Sequence, residues 1–131
     1  MSRRIAITLG DPGGIGPDIC VMMAKSSITR NHIFITDPKL LLDSSKKLKI
    51  KIKINLLKTV TSKTASGLGL INVYPLKLIS KNKPGYMDPK NAPFVIDAIQ
   101  TAAEGCMRGD FDAMVTGPIS KSVLNKGGYK I

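Results

Sequence analysis

Two glycine-bearing segments carry the residue types that could do chemistry. The first is Thr8-Leu9-Gly10-Asp11-Pro12-Gly13-Gly14-Ile15-Gly16-Pro17-Asp18. Its glycines let a ligand come close to the backbone, and Asp11 can accept a hydrogen bond or order the turn. The second is Val115-Thr116-Gly117-Pro118-Ile119-Ser120-Lys121. Lys121 stands about one helical turn beyond a strand end, where its ammonium can reach an anion or a carbonyl group. No Gly-Lys-Ser/Thr follows the first segment, so it is not a P-loop. Gly14 and Gly16 match the first two glycines of the dinucleotide fingerprint, but Ile19 stands where the third belongs. From composition alone the first segment is either a ligand loop or a tight strand-to-helix turn, and Lys121 is either a site cation or solvated surface. His32 begins a strand, and Cys20 and Cys106 fall on helices, where buried inert thiols are usual. No Ser-His-Asp set, no carboxylate pair with a defined partner and no metal-ligand cluster is visible.

The elements that must position these segments follow from apolar patterning. Ile5 to Leu9 reads as a buried strand, and Pro17 opens a helix running to about Lys25. His32 to Thr36 is a second strand. Asp37 caps a helix that has Pro38 at its first position and carries Leu40, Leu41 and Leu42. Residues 58–69 are a polar loop, Leu70 to Tyr74 a strand, and Lys81 to Pro89 a second polar stretch. Asn91 to Met107 is an amphipathic helix closed near Gly109. Asp110 to Thr116 is a strand, and Ile119 to Asn125 a further helix. Strand and helix alternate, which predicts an α/β fold with a mostly parallel sheet and flanking helices. In such sheets ligands bind beyond the carboxyl ends of the strands, where both glycine segments lie.

The chain has 131 residues, 43% hydrophobic and 22% charged, which fits one globular domain and excludes a disordered tail or a membrane bundle. The apolar run before Gly10 is too short for a signal peptide, so a cytoplasmic protein is expected, with no membrane partner. Twenty Lys and Arg against nine acids give a net charge of +11, an imbalance that calls for an explanation. Lys47 to Ile54 alternates Lys with an aliphatic residue, predicting a strand with lysines on one face. That face suits nucleic acid or a solvated sheet edge. The edge is favoured, because no aromatic residue interleaves to stack on bases. A small basic nucleic-acid-binding protein remains the alternative from another class.

The Thr8–Asp18 segment closely resembles the opening motif of the 4-hydroxythreonine-4-phosphate dehydrogenase family. Phe111-Asp112-Ala113-Met114-Val115-Thr116-Gly117-Pro118-Ile119-Ser120-Lys121 resembles its second signature, with Ser120 where Asn or His is usual. The helix between them also fits. Gly-Ile-Gly-Pro is similar to the opening of isocitrate and isopropylmalate dehydrogenases, so the resemblance implies their wider fold, here truncated. It implies oxidation of 4-phosphohydroxy-L-threonine by NAD or NADP, then loss of CO2 to give 3-amino-2-oxopropyl phosphate for vitamin B6 biosynthesis. It also implies a divalent metal held by histidines, a phosphorylated small-molecule substrate and a homodimer.

On this reading Gly14, Ile15 and Gly16 contact the dinucleotide. Asp11 shapes the loop, Thr116 and Gly117 line the substrate crevice with it, and Lys121 is the catalytic candidate. No metal ligand is assigned. Family chains are several hundred residues long, and their second signature is followed by a Gly-His-Thr-Glu segment and later by the metal histidines. Residues 1–131 therefore read as an N-terminal part whose end at Gly127–Ile131 looks cut. Such a part is expected to be inactive alone and to bind neither cofactor tightly. A separately encoded C-terminal half would be a compatible partner. A related dehydrogenase of four-carbon sugar-acid phosphates, such as erythronate or threonate 4-phosphate, is the alternative within the fold.

Overall fold

Ile5–Thr8 (β1), an apolar run ending in threonine, pairs on both sides within a sheet whose strand pairings are all parallel. The computed structural model describes residues 3–26 and 31–130; Met1, Ser2 and Ile131, which belong to the terminal segments of the sequence, lie outside the described residues. After β1 come α1 (Gly16–Ser26), β2 (His32–Thr36), α2 (Pro38–Leu48), β3 (Lys53–Leu56) and β4 (Leu70–Pro75). A 3-10 turn (Pro89–Asn91), α3 (Ala92–Arg108), β5 (Ala113–Thr116) and α4 (Lys121–Lys126) complete the order. The sheet runs β3-β4-β2-β1-β5. Ile5 lies opposite both His32 and Ala113, which fixes the central register. The mostly parallel α/β architecture expected from the alternation of elements is what the chain adopts.

Side chains on alternate faces of the strands sort the helices into layers. On one face Val21 and Ala24 of α1 and Leu41 of α2 pack against Phe34, Ile71 and Val73. On the other, Ala98 and Ala102 of α3 pack against Ala6, Ile33 and Ile35. Phe34, Ile33 and Ile35 are fully buried, each contributing about 1.5–3 kcal/mol. Asp18, in the first turn of α1, ties that helix to α2 by accepting from Ser44 Oγ at 2.7 Å and Lys47 Nζ at 2.8 Å. Burial alone would raise its pKa, but the bonds from Lys47 and Ser44 and the Lys47 charge outweigh this and hold the carboxyl below its usual range.

Local chemistry sets the element ends. Asp37 caps α2 through Oδ1, which accepts from the Lys39 N–H at 3.0 Å. Its Oδ2 takes the Leu78 N–H at 3.0 Å and so holds the segment after β4. The helix expected from Ile119 begins instead at Lys121, because Ser120 is its cap and Ser120 Oγ accepts from the Val123 N–H. The strand expected from Asp110 begins at Ala113, because the Asp110 and Phe111 N–H groups both donate back to the Gly105 carbonyl that ends α3. Gly105 is required there: the Phe111 ring occupies the place a β-carbon would take. The polar loop before β4 is pinned by buried Asn72, whose Oδ1 accepts from the Ala65 N–H and whose Nδ2 donates to the Ala65 carbonyl, both at 2.9 Å.

The Lys47–Ile54 strand is corrected by the structure. Lys47 and Leu48 belong to the last turn of α2, and only Lys53 and Ile54 fall in β3. Lys49 caps the helix in the left-handed conformation, φ 55°, donating to Lys46 and Ser45 carbonyls. The in-and-out pattern survives because Ile50, Ile52 and Ile54 pack on the α1/α2 core while Lys49, Lys51 and Lys53 face solvent. β3 is a sheet edge, as the favoured reading of the lysines required. A β-carbon is strained at a left-handed cap. Lys49→Gly is therefore expected to raise stability by about 0.5–1 kcal/mol, read as an increased urea midpoint with an unchanged slope.

Candidate functional site

β1 and β5 end side by side, Thr8 opposite Thr116, and both glycine segments leave the sheet at this point. The two segments cross in direct backbone contact. The Gly117 N–H donates to the Thr8 carbonyl at 2.8 Å, and the Asp11 N–H donates to the Pro118 carbonyl at 3.2 Å. Gly10, at φ 76°, has no room for a β-carbon against the Pro118 carbonyl. Gly117 has none against the Leu9 carbonyl. The same carbonyl closes off Gly16. The glycines at 10, 16 and 117 are thus explained by chain packed on chain.

Asp11 orders the turn that follows. Its buried carboxylate accepts the Gly13 N–H at 2.9 Å, and its carbonyl accepts the Gly14 N–H at 3.0 Å. Burial pushes the Asp11 carboxyl above its ordinary value; the Gly13 bond works against this, and the negative charge of Asp88 adds to it. Asp88 is held charged: it accepts the Lys90 N–H and the Ser80 hydroxyl, which lower its pKa. The loop bearing Asp88 leans on the glycine turn. The Gly85 N–H donates to the Gly13 carbonyl at 2.9 Å, and Tyr86 fills the space beside Gly13.

Of the other residues singled out from the sequence, Gly14 keeps the most freedom: a β-carbon there would lie 3.3 Å from its nearest backbone neighbour, the Asp11 carbonyl oxygen. Ile15 is 60% exposed at the start of α1. The first turn of a helix leaves amide donors without intrahelical acceptors, so the Ile15–Gly16 backbone lies where an anion can be held. Thr116 Oγ1 donates to the Gly117 carbonyl at 2.7 Å. Lys121 is exposed at the first position of α4, beyond the crossing. The structure brings Asp11, Thr116 and Gly117 to one crossing, with Gly14–Gly16 on one flank and Lys121 on the chain leaving the other.

Sequence reasoning missed Asp88, Tyr86 and the Thr8 hydroxyl, which is buried with no hydrogen-bond partner among the described residues. Only the bunching of Gly, Tyr, Met, Asp and Pro at 85–89 hinted at a built loop there. His32 lies at the start of β2, away from the carboxyl ends, and burial pushes the Cys20 thiol up to about 12, an inert group. Among the described residues no three His, Cys, Asp or Glu are grouped to hold a metal. No helix among them is long and apolar enough to cross a membrane.

An open apolar groove of 420 Å³ runs from the crossing along β5 on the α1 side, between Ile5, Ile7 and Val115 on the sheet and Ile19 and Met23 on the helix.

Two outcomes follow from this geometry. Gly117→Ala must part β1 from β5 and is expected to cost about 2–3 kcal/mol in urea unfolding, while Gly14→Ala costs less than about 1 kcal/mol. Asp11 binds its proton more tightly folded than unfolded. Its ionisation therefore works against folding, and stability falls as pH rises from 3.8 through the raised value. Asp11→Asn keeps an oxygen for the Gly13 N–H and is expected to remove that fall, measured as the urea midpoint across the acid range.

Comparison with known proteins places this geometry in a family. The family model described as pyridoxal phosphate biosynthetic protein PdxA matches residues 28–131. A 4-hydroxythreonine-4-phosphate dehydrogenase of Saccharophagus degradans is 39% identical over 124 residues, covering 95% of this chain and 37% of that relative. The crystal structure of a 4-hydroxythreonine-4-phosphate dehydrogenase from Klebsiella pneumoniae superposes with a TM-score of 0.89 at 21% identity, over 99% of this chain and 41% of that one. A third, from Burkholderia phymatum, gives 0.88 at 26% identity, over 99% and 40%. The chain thus spans about two fifths of the length of the relatives it matches, and it belongs to the PdxA family of pyridoxal phosphate biosynthetic proteins.

Proposed function

We propose that this chain supplies the β1–β5 crevice of a nicotinamide-dependent dehydrogenase acting on 4-phosphohydroxy-L-threonine. The observation that carries the reading is the crossing of the two glycine segments at the carboxyl ends of adjacent parallel strands, the place where open α/β sheets bind ligands. The names of the relatives supply the substrate class. A nicotinamide dinucleotide, when bound, would supply the hydride acceptor for oxidation of the substrate hydroxyl, and loss of CO2 would follow from the resulting β-keto acid. The Gly14–Ile15–Gly16 backbone at the start of α1 binds the dinucleotide. Asp18, in that first turn, has its charge compensated by Lys47 and so repels a phosphate less than a free carboxylate would. Asp11, Thr116 and Gly117 shape the crevice floor. Lys121, which forms no ion pair among the described residues, holds the anionic or carbonyl end of the substrate.

The described residues do not fit a divalent metal, so no step is assigned to one in this chain. We infer that the full-length protein acts as a homodimer and that any metal ligands would come from sequence that these residues do not contain. The test joins this chain to the part of the Saccharophagus degradans relative that it does not match, and follows NADH formation with 4-phosphohydroxy-L-threonine and NAD. Turnover is expected from the joined protein and none from the 131 residues by themselves. Lys121→Ala in the joined protein is expected to lower kcat/KM about 100-fold, with partial recovery in Lys121→Arg. Equal turnover by the chain alone, or an unaffected Lys121→Ala variant, overturns the proposal.

A further inference from the structure

The segment between β4 and α3 is built more firmly than its lack of regular structure implies. Buried Asn91 ties its two ends together: Oδ1 accepts the Ile79 and Ser80 N–H groups at 3.2 and 2.8 Å, and Nδ2 donates to the Ser80 carbonyl at 3.1 Å. The Ser80 hydroxyl donates to the Asp88 carboxylate at 2.8 Å. At the tip the Tyr86 N–H donates to the Lys83 carbonyl at 2.9 Å across Pro84 and Gly85, and Gly85 has φ 83°. Proline second and a left-handed glycine third are what a type II turn favours. The tip rests on the glycine turn through its backbone, with the Gly85 N–H on the Gly13 carbonyl and the Tyr86 carbonyl in the place a β-carbon on Gly13 would take. Yet the side chains on this stiff frame are bare: Tyr86 is 54% and Met87 41% exposed. Met87 Cε lies 3.9 Å from where a β-carbon on Gly14 would be, and the next residue, Ile15, is 60% exposed. An ordered frame that shows aromatic, thioether and aliphatic groups to solvent, at the ligand-binding end of a parallel sheet, suits a ligand with an apolar face.

We infer that Ile15, Tyr86 and Met87 form a stacking platform for one flat ring of the dinucleotide. The inference rests on the proposed binding of the dinucleotide by the Gly14–Ile15–Gly16 backbone, and adds the side chains that hold a ring beside those amides. Adenine and nicotinamide are both planar and heteroaromatic, and a phenol face with a thioether beside it takes such a ring by stacking and dispersion. The Tyr86 ring is spared for this, because contact with Gly13 runs through the Tyr86 carbonyl. The charges of Lys83 and Lys90 act on Asp88, so the carboxylate next to the platform is compensated and does not repel a phosphate-bearing ligand as a bare acid would. Asn91 and the Pro84–Gly85 turn fix the platform before the ligand arrives, which lowers the ordering cost of binding.

The test measures binding by calorimetry in this chain joined to the unmatched part of the Saccharophagus degradans relative, with NAD, ADP-ribose and nicotinamide mononucleotide as probes. Tyr86→Ala is expected to weaken NAD binding about tenfold or more, the usual cost of removing an aromatic ring that stacks on a base. Tyr86→Phe is expected to stay within about twofold of the parent, because the ring and not the hydroxyl makes the contact. Met87→Ala is expected to weaken NAD about threefold. The half-ligands report which ring is held: a loss confined to ADP-ribose places adenine on the platform, and a loss confined to nicotinamide mononucleotide places nicotinamide there. Equal losses for both overturn the inference, since one platform holds one ring. So does a Tyr86→Phe variant that binds as weakly as Tyr86→Ala. A joined protein that binds no dinucleotide overturns the proposed function together with the platform, whereas NAD binding that Tyr86→Ala leaves unchanged overturns the platform alone.

Discussion

The structure depends on one close contact of backbone with backbone. Leu9 and Gly10, leaving β1, press against Gly117 and Pro118, leaving β5, with no side chain between them. Two hydrogen bonds hold the contact, and two glycines, Gly10 and Gly117, are what make it sterically allowed. The rest of the crevice follows from it. The turn that Asp11 closes starts from this contact, the loop carrying Tyr86 and Asp88 rests on that turn, and the start of α1 is set by Gly16 against the Leu9 carbonyl.

This arrangement changes what a glycine-rich loop signifies. In a phosphate-binding loop glycines are read as space left for a ligand. Here the places that β-carbons of Gly10, Gly13 and Gly16 would take are filled by the protein's own carbonyls. The carboxylates around the turn sit in different surroundings. Asp11 is buried beside a second carboxylate that is kept charged by its own partners, and Asp18 at the helix start is compensated by a lysine from the next helix.

Much of the fold was legible because its signals are local. Asp37-Pro38 announced a helix start, Gly109 an end, and short β-branched runs marked β1 and β2, all of which the structure keeps. The Lys47–Ile54 alternation misled in part, because a period of two in burial arises whenever a chain crosses a core edge in extended form, helix cap included. The capping serine at 120 delayed a helix that apolar spacing alone would have begun earlier. For the site, the two glycine segments were visible as motifs, but their mutual contact was not. Nor was Asp88, whose effect on Asp11 exists only because a distant loop folds back. Such effects depend on pairings between remote positions, which residue types and spacing do not encode.

The Arg4 N–H donates to the Asp112 carboxylate, the Asp112 N–H donates back to the Arg4 carbonyl, and the two residues stand 108 positions apart in the chain. β1 leaves the ribosome before the other strands of the sheet, yet its outer neighbour β5 is the last of them to arrive. The helices and the β1–β2 pairing can form early from nearby contacts, whereas the crevice requires closure of a loop of that length. Assembly order is thereby written into the topology. The crossing of the two glycine segments cannot form until β5 has been synthesised.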